Sequence, residues 1–154
     1  MINVLFVCLG NICRSPMAEA FFRNLLEKEN LSDKISVDSA ATSSWEIGSP
    51  PHKGTITILK KYNISSEGLI GRQITKDDFE KFEYIIGMDD SNMKNLSEIA
   101  GNPSHPKLIR LLDLTNHPKD VPDPYYTGDF QETYDLVSEG CMALLEKIRK
   151  EHDL

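Results

Sequence analysis

"VCLGNICRSPMAEA", residues 7–20, is the stretch of this chain that decides the fold. It continues an apolar run that starts at residue 2, and such a run is typical of a buried strand. Gly10 and Asn11 tolerate the left-handed backbone of a tight turn. Ser15 then predicts a helix N-cap, with Pro16 at the first helical position, where a missing N–H costs nothing. The stretch therefore predicts a strand, a tight loop and a helix in direct succession.

The rest of the chain repeats this alternation of strands and helices. We predict further strands at 35–39, 84–88 and 108–112, and helices to about residue 29, after 50–51, through 79, at 91–100 and over 130–148. This order indicates a parallel sheet covered by helices on both faces. We therefore predict an α/β fold, a single three-layer domain over residues 1–154 with a four-stranded parallel sheet. Ligands of such folds bind beyond the carboxyl ends of the strands, where Cys8 leaves the first one.

Composition and charge argue against several classes of function. The sequence has 154 residues, a formal charge of −7, three cysteines and four scattered histidines. A negative protein lacks the basic face that nucleic acid or anionic membranes would attract. The cysteines are too few for a secreted disulfide scaffold, the histidines lack metal-ligand spacing, and no basic residue precedes the first apolar run. We expect a cytoplasmic protein with no metal, cofactor, nucleic-acid partner or membrane partner.

The loop between the first strand and helix has the composition of an anion site. Backbone N–H groups of a tight loop form a concave nest for an anion, and the positive end of the next helix dipole adds to it. Arg14 supplies a planar fork that matches two phosphate oxygens. The same positive groups, with a hydrogen bond from Ser15, favour the thiolate form of Cys8. The loop thus predicts a tetrahedral oxyanion held above a nucleophilic sulfur.

Each of these residues also has an ordinary structural explanation. A free cysteine is commonly a small buried hydrophobic residue, and Ser15-Pro16 is a common helix start. The distant Asp123-Pro124 pair is as often a simple turn. The conjunction of strand, cysteine, Gly-Asn turn, arginine and helix in one unit favours the anion site over these explanations.

The same stretch resembles the signature loop of the low-molecular-weight protein tyrosine phosphatases. The resemblance continues in "VDSAATSSWEIGSPPH" (37–52), "GRQITKDDFEKFEYIIGMDDSN" (71–92) and "DVPDPYYTGDF" (120–130), so it covers nearly the whole chain in the expected order. It implies a flavodoxin-like (phosphotyrosine phosphatase I-like) fold. It also implies the hydrolysis of protein phosphotyrosine and small aryl phosphates through a phosphocysteine, without a cofactor.

The resemblance also implies roles for individual residues. Cys8 would be the nucleophile, Arg14 would bind phosphate, and Asp123 would act as general acid and then as general base. The remaining residues of the phosphate-binding loop would be Leu9, Gly10, Asn11, Ile12, Cys13 and Ser15. Asn11, Ser15 and Ser39 would hold the loop in shape. The substrate cleft would be formed by Ile12, Trp45, Tyr125 and Tyr126.

Further family positions are less direct. Cys13 would trap oxidised Cys8 as a disulfide, although it could simply pack under the loop. Leu69 stands where many eukaryotic members have a histidine, so one arm of the supporting network is missing or replaced. Asp89 and Arg72 match structural positions, and we expect an ion pair between them. Cys141 is expected to be structural. Core packing remains an alternative for one of the two cleft tyrosines.

Three other functions share features of this loop. A protein-arginine phosphatase has threonine where this chain has Ile12. An arsenate reductase needs a cysteine pair around the third strand, where Gly87-Met88 offers none. A phosphate-binding or redox module without turnover would not need Cys8, Arg14 and Asp123 together. We expect phosphotyrosine-containing proteins as substrates, inhibition by inorganic phosphate and other tetrahedral oxyanions, and a monomer or weak dimer.

Overall fold

A parallel four-stranded sheet forms the centre of the protein in the computed structural model, which describes residues 1–102, 105 and 107–154. The strands are β1 (Ile2–Cys8), β2 (Ile35–Ala41), β3 (Tyr84–Gly87) and β4 (Leu108–Arg110). Their order in the sheet is β2-β1-β3-β4, and every neighbouring pair is parallel. The predicted fold class is therefore confirmed.

Helices cover both faces of the sheet. They are α1 (Arg14–Lys28), α2 (Lys53–Lys61), α3 (Asp78–Lys81), α4 (Asp90–Ala100), α5 (Pro124–Thr127) and α6 (Phe130–His152), with a 3₁₀ turn at Leu111–Leu114. Side chains of β1 alternate between the faces, as the two-residue period of a strand requires. Val4 and Phe6 pack against α1 and α6, whereas Leu5 and Val7 pack on the face of α3 and α4. Helix α2 packs outside α1 and α6.

The predicted elements are present, and their ends differ for identifiable reasons. Strand β2 runs on to Ala41 because it stays paired with β1, whose last residue, Cys8, lies opposite Ala41. Strand β4 ends at Arg110, and the apolar residues after it form the 3₁₀ turn instead of a longer strand. Helix α5 was not predicted. None of the helices built from the described residues has both the length and the apolar composition needed to cross a membrane.

Candidate active site

A cavity of about 210 Å³ lies at the carboxyl end of β1. Its lining combines the end of β1 and the loop after it, the segment after β2, and α5 with its N-cap residue. The residues that line it are Cys8, Leu9, Gly10, Ile12, Cys13, Trp45, Glu46, Asp123, Tyr125 and Tyr126. This is the edge of the sheet at which parallel α/β folds bind ligands.

Cys8 lies at the bottom of this cavity, 3% exposed, as the last residue of β1. Its Sγ lies 3.1 Å from Ser15 Oγ. Asn11, at a left-handed φ of 57°, donates from Nδ2 to Ser15 Oγ at 2.7 Å and to Ser39 Oγ at 2.9 Å. Arg72 N–H donates to Asn11 Oδ1 at 3.1 Å, which fixes the orientation of the amide. The predicted supporting residues therefore lie in contact with one another and with the cysteine.

Four carbonyl groups of the loop point toward neighbouring segments of the chain. The carbonyl oxygens of Cys8, Leu9, Ile12 and Cys13 accept hydrogen bonds from Thr42 N at 3.0 Å, Ser43 N at 3.1 Å, His52 N at 2.7 Å and Thr55 Oγ1 at 3.1 Å, in that order. In a trans peptide the C=O group and the N–H group that follows it point in opposite directions. The N–H groups after these carbonyls therefore point away from the outer segments, as an anion nest requires.

Arg14 is buried at 2% exposure and held by two segments. One terminal nitrogen donates to Asp89 Oδ2 at 2.6 Å and to the Val121 carbonyl at 3.0 Å, and the other lies 3.3 Å from Asp123 Oδ2. Burial alone would lower the pKa of Arg14, but the negative charges of Cys8, Asp89 and Asp123 outweigh it and raise the pKa. Within the described residues, its buried Nε has no hydrogen-bond partner and remains a donor for an anion.

Asp123 lies at the N-cap of α5 with an extended backbone, φ −81° and ψ 113°. Pro124 disfavours the helical conformation at Asp123, as the Asp-Pro pair predicts. Asp123 Oδ1 accepts from Tyr125 N at 3.1 Å, while Oδ2 faces Arg14. The carboxylate is thus held at the cavity wall, on the chain segment that also carries the two tyrosines.

The three aromatic residues at the cavity are all exposed. Trp45 is 73% exposed, Tyr125 59% and Tyr126 74%. The predicted loop position of Trp45 is confirmed. The core-packing alternative for one tyrosine is wrong, because both lie on short α5, where they line the cavity rather than the core.

The expected N-cap role of Ser15 is wrong. Ser15 does not cap α1: the helix begins at Arg14 after Cys13, and the Ser15 hydroxyl is engaged by Cys8 and Asn11 instead. Of the two turn residues, Asn11 adopts the left-handed conformation and Gly10 does not.

The predicted pair between Arg72 and Asp89 is also wrong. Arg72 binds Asp38 at 3.1 Å and Asp78 at 3.0 Å, whereas Asp89 binds Arg14. The reason is the strand order, since Arg72 lies beside β2 while Asp89 follows β3, with β1 between them. Leu69, in place of the family histidine, packs in the apolar cluster between α1, α2 and α6.

Sequence reasoning missed Glu19, which extends the hydrogen-bond network. Glu19 is 5% exposed and accepts from Ser39 Oγ at 2.6 Å, and it is also paired with Arg23. Burial raises the pKa of Glu19, although the bonds from Ser39 and Arg23 oppose the shift. A glutamate on the apolar side of an amphipathic helix is the signal that would have identified it.

The other two cysteines are buried and differ in their surroundings. Cys13 lines the cavity, and burial together with the charges of Asp123 and Cys8 raises its pKa to about 12. It is therefore a neutral thiol at physiological pH. Cys141 is fully buried on α6 beside the Ala18 carbonyl, and burial raises its pKa as well.

Known proteins resemble this chain in both sequence and structure. The chain is 52% identical over 158 residues to the low molecular weight protein-tyrosine-phosphatase YfkJ of Bacillus subtilis, with both chains fully covered. It is 47% identical to PtpA of Staphylococcus aureus, over 100% of this chain and 98% of that protein. The crystal structure of YfkJ matches with a TM-score of 0.95 at 51% identity, covering 98% of this chain and 96% of that one.

A more distant structure is DARP, a Drosophila arginine phosphatase. It matches with a TM-score of 0.86 at 34% identity, covering 97% of this chain and 98% of that one. The family model for low molecular weight phosphotyrosine protein phosphatases matches residues 3–154. The similarity covers the whole chain, including the segments that carry Cys8, Arg14 and Asp123. This chain therefore belongs to the low molecular weight phosphotyrosine protein phosphatase family.

Proposed function

We propose that this enzyme hydrolyses phosphotyrosine in proteins, and small aryl phosphates, through a phosphocysteine intermediate. The observation that carries the proposal is the common cavity lined by Cys8, Asp123 and the exposed aromatic side chains. It provides a nucleophile, an acid and apolar walls, which are the groups that cleavage of an aryl phosphate ester requires.

In the first step, the Cys8 thiolate attacks phosphorus, and the bond between phosphorus and the tyrosyl oxygen breaks. Asp123, in its acid form, gives its proton to the leaving oxygen. Arg14 and the loop N–H groups bind the three equatorial oxygens, whose charge is spread in the transition state. Two observations support this role: Nε of Arg14 has no hydrogen-bond partner among the described residues, and the loop carbonyls point toward neighbouring segments.

In the second step, Asp123 takes a proton from water while the water oxygen attacks phosphorus. The bond between phosphorus and sulfur breaks, which releases inorganic phosphate and restores the thiolate. Ser15 Oγ, 3.1 Å from the sulfur, stabilises the returning negative charge. Asn11 and Ser39 hold Ser15 in place.

The lining of the cleft supports the proposed substrate class. Trp45, Tyr125 and Tyr126 form tall apolar walls, so an aryl phosphate reaches the sulfur while its ring contacts aromatic side chains. Ile12 in the lining favours a phosphotyrosine ring over the polar guanidinium of phosphoarginine. Because the chain is similar to DARP, hydrolysis of phosphoarginine is the alternative activity that an experiment must distinguish from hydrolysis of phosphotyrosine.

Further parts of the proposal concern regulation and setting. We propose that Cys13 protects Cys8 from a peroxide: the peroxide oxidises Cys8 to a sulfenic acid, the Cys13 sulfur attacks the Cys8 sulfur, the S–O bond breaks, and a disulfide and water result. Inorganic phosphate and other tetrahedral oxyanions should compete for the loop. The enzyme would act on phosphoproteins in the cytoplasm, as one domain and as a monomer or weak dimer. An arsenate reductase role lacks support, because it needs a cysteine pair around the third strand, and neither β3 nor Met88 after it supplies a cysteine.

The test is phosphate release from matched phosphotyrosine, phosphoserine and phosphoarginine substrates, with the wild type and Cys8→Ser. We expect turnover of phosphotyrosine alone, lost in Cys8→Ser, which should still bind phosphate. Preference for phosphoarginine would overturn the substrate assignment. Turnover by Cys8→Ser would overturn the nucleophile.

A further inference from the structure

His52 joins three parts of the molecule that meet beside the cavity. Its backbone N–H donates to the Ile12 carbonyl of the phosphate loop at 2.7 Å. Its ring stacks on Phe130, the first residue of α6, with the centroids 5.0 Å apart and the planes at 21°. The same ring meets Tyr125 in an edge-to-face contact, with the centroids 6.0 Å apart and the planes at 82°. The half-buried His52 thus lies behind a wall of the cavity rather than inside it.

Three local features hold the His52 ring in this position. Its Nδ1 accepts from Gly54 N–H at 3.0 Å, so the side chain caps the N-terminus of α2. Gly54 in turn leaves room for Phe130, since a Cβ at residue 54 would lie under 3.0 Å from the Phe130 ring. The ring is therefore fixed on one edge by a hydrogen bond and on one face by stacking. A fixed ring is a firm support for its third neighbour, Tyr125.

Tyr125 needs such support because it is exposed and short of neighbours. It is 59% exposed and lies on a helix of four residues. Its main chain is anchored, because its N–H donates to Asp123. Its ring contacts the ring of Tyr126, which is itself 74% exposed, and the ring of His52. Of these two neighbours, only His52 is held on several sides.

We infer that His52 is a positioning residue that sets the selectivity of the cleft for aromatic substrates by fixing the ring of Tyr125. The inference rests on the proposed function, in which Tyr125 forms a wall against the substrate ring. The hydrogen bond and ring contacts of the His52 side chain go to Gly54, Tyr125 and Phe130, outside the phosphate loop. A change of this side chain should therefore affect how the cleft binds the ring of a ligand and not how the loop binds its phosphate group. The expected signature is selective loss of affinity for aryl ligands.

Two variants separate the ring of His52 from its capping role. Asn caps helices well, so His52→Asn keeps the acceptor for Gly54 and removes the ring. His52→Phe keeps the ring and removes the cap. Binding of benzylphosphonate, an aryl ligand that is not hydrolysed, and of inorganic phosphate is measured from the fluorescence of Trp45, the one tryptophan of the sequence, and by calorimetry.

His52→Asn should lower the affinity for benzylphosphonate roughly three- to tenfold, which corresponds to the free energy of an edge-to-face aromatic contact. The affinity for phosphate should stay unchanged. His52→Phe should keep benzylphosphonate affinity and lower the melting temperature. KM for an aryl phosphate should rise in His52→Asn while kcat stays the same. In a Tyr125→Ala background, the change at residue 52 should have no further effect on benzylphosphonate.

An equal loss of affinity for benzylphosphonate and for phosphate would overturn the inference, because the phosphate loop rather than the ring of Tyr125 would then have moved. Unchanged benzylphosphonate binding in a folded His52→Asn protein would overturn it as well. If His52→Asn does not fold, loss of benzylphosphonate affinity by His52→Phe would serve as the contradicting result. Failure of the wild type to bind benzylphosphonate would instead count against the proposed function.

Discussion

At the scale of single residues, one buried carboxylate sets the direction of the hydrogen bonds that reach Cys8. An ionised Glu19 can only accept, so Ser39 must donate to it and use its oxygen to accept from Asn11. Asn11 gives its second N–H to Ser15, whose own proton is then free for the sulfur. The chain of bonds therefore delivers a donor to the Cys8 sulfur, although Glu19 does not itself contact Cys8.

Glu19→Leu should lower kcat by about tenfold, because Ser39 loses its acceptor and the donor to Cys8 is no longer fixed. Glu19→Gln is the matched control, since its amide oxygen can still accept from Ser39, and it should keep most of the activity. Thiolate reactivity is read independently from the rate of alkylation of Cys8 by iodoacetate. Equal kcat and alkylation rates in Glu19→Leu and the wild type would contradict this role.

The raised pKa of Glu19 also predicts a pH dependence of stability. A folded-state pKa above the ordinary value of 4.5 means that the native state binds the proton more tightly than the unfolded state. This contribution to stability is complete below about pH 4.5 and is lost as pH rises through the raised pKa. The free energy of unfolding of the wild type should therefore fall relative to Glu19→Gln over that range. Denaturant titrations at several pH values measure it, and a difference that does not change with pH would refute it.

Asp123→Ala should slow the cleavage of phosphotyrosine peptides by about 10²–10⁴-fold, the usual contribution of a general acid. The loss should be smallest for p-nitrophenyl phosphate, whose leaving group needs little protonation. Steady-state kinetics over a series of aryl phosphates with different leaving groups tests this. Full activity of Asp123→Ala on phosphotyrosine peptides would show that another group is the acid.

At the scale of elements, close packing between two elements can require a residue that has a low propensity for the element in which it lies. Gly140 lies inside α6, where glycine costs up to about 1 kcal/mol relative to alanine. A Cβ at this position would lie under 3.0 Å from the side chain of Leu111 in the 3₁₀ turn, and Leu111 is fully buried. The glycine therefore lets the segment after β4 pack directly against α6.

Gly140→Ala should destabilise the protein by about 1–3 kcal/mol, because overpacking of a closed interior outweighs the gain in helix propensity. Urea denaturation gives the change in the free energy of unfolding. Leu111→Ala in the same background provides the control, since it removes the clash and should make Gly140→Ala less harmful. A Gly140→Ala protein that is more stable than the wild type would mean that Leu111 and the 3₁₀ turn can move aside at little cost in free energy.

At the scale of the whole molecule, charge acts on substrates before they reach the loop. The formal charge is −7, and Glu46 adds a carboxylate to the cavity lining itself. The phosphate loop attracts one dianion locally, but the surrounding field repels further negative charge. The enzyme should therefore discriminate between phosphotyrosine peptides by the charge of their flanking residues.

Peptides with acidic residues beside the phosphotyrosine should show a lower kcat/KM than peptides with basic ones at low ionic strength. The difference should shrink as salt shortens the Debye length from about 30 Å at 0.01 M to about 8 Å at 0.15 M. Glu46→Gln should reduce the difference at low salt, and its fluorescence-monitored melting curve controls for folding. Selectivity that does not depend on salt would exclude this long-range origin.

The sequence alone determined the fold class and predicted most of the residues that line or support the candidate site, because both depend on short-range patterns. Apolar periodicity marks β1 and α1 wherever they pack, and the loop between them carries Cys8, Asn11 and Arg14 within seven consecutive residues. The Asp-Pro pair likewise predicted the extended backbone of Asp123, since proline restricts the residue before it.

Only the tertiary structure decided which side chains meet across the sheet. The strand order β2-β1-β3-β4 pairs Asp89 with Arg14 rather than with Arg72. The packing of helices and loops around the sheet places Glu19 beside Ser39 and brings His52 against Tyr125. The reason is physical: these contacts join residues far apart in sequence, and no local propensity records which segments will be neighbours. The groups of the loop that would bind and attack an anion lie in consecutive residues. The residues that hold the loop in place come from distant segments of the chain, which only the tertiary structure brings together.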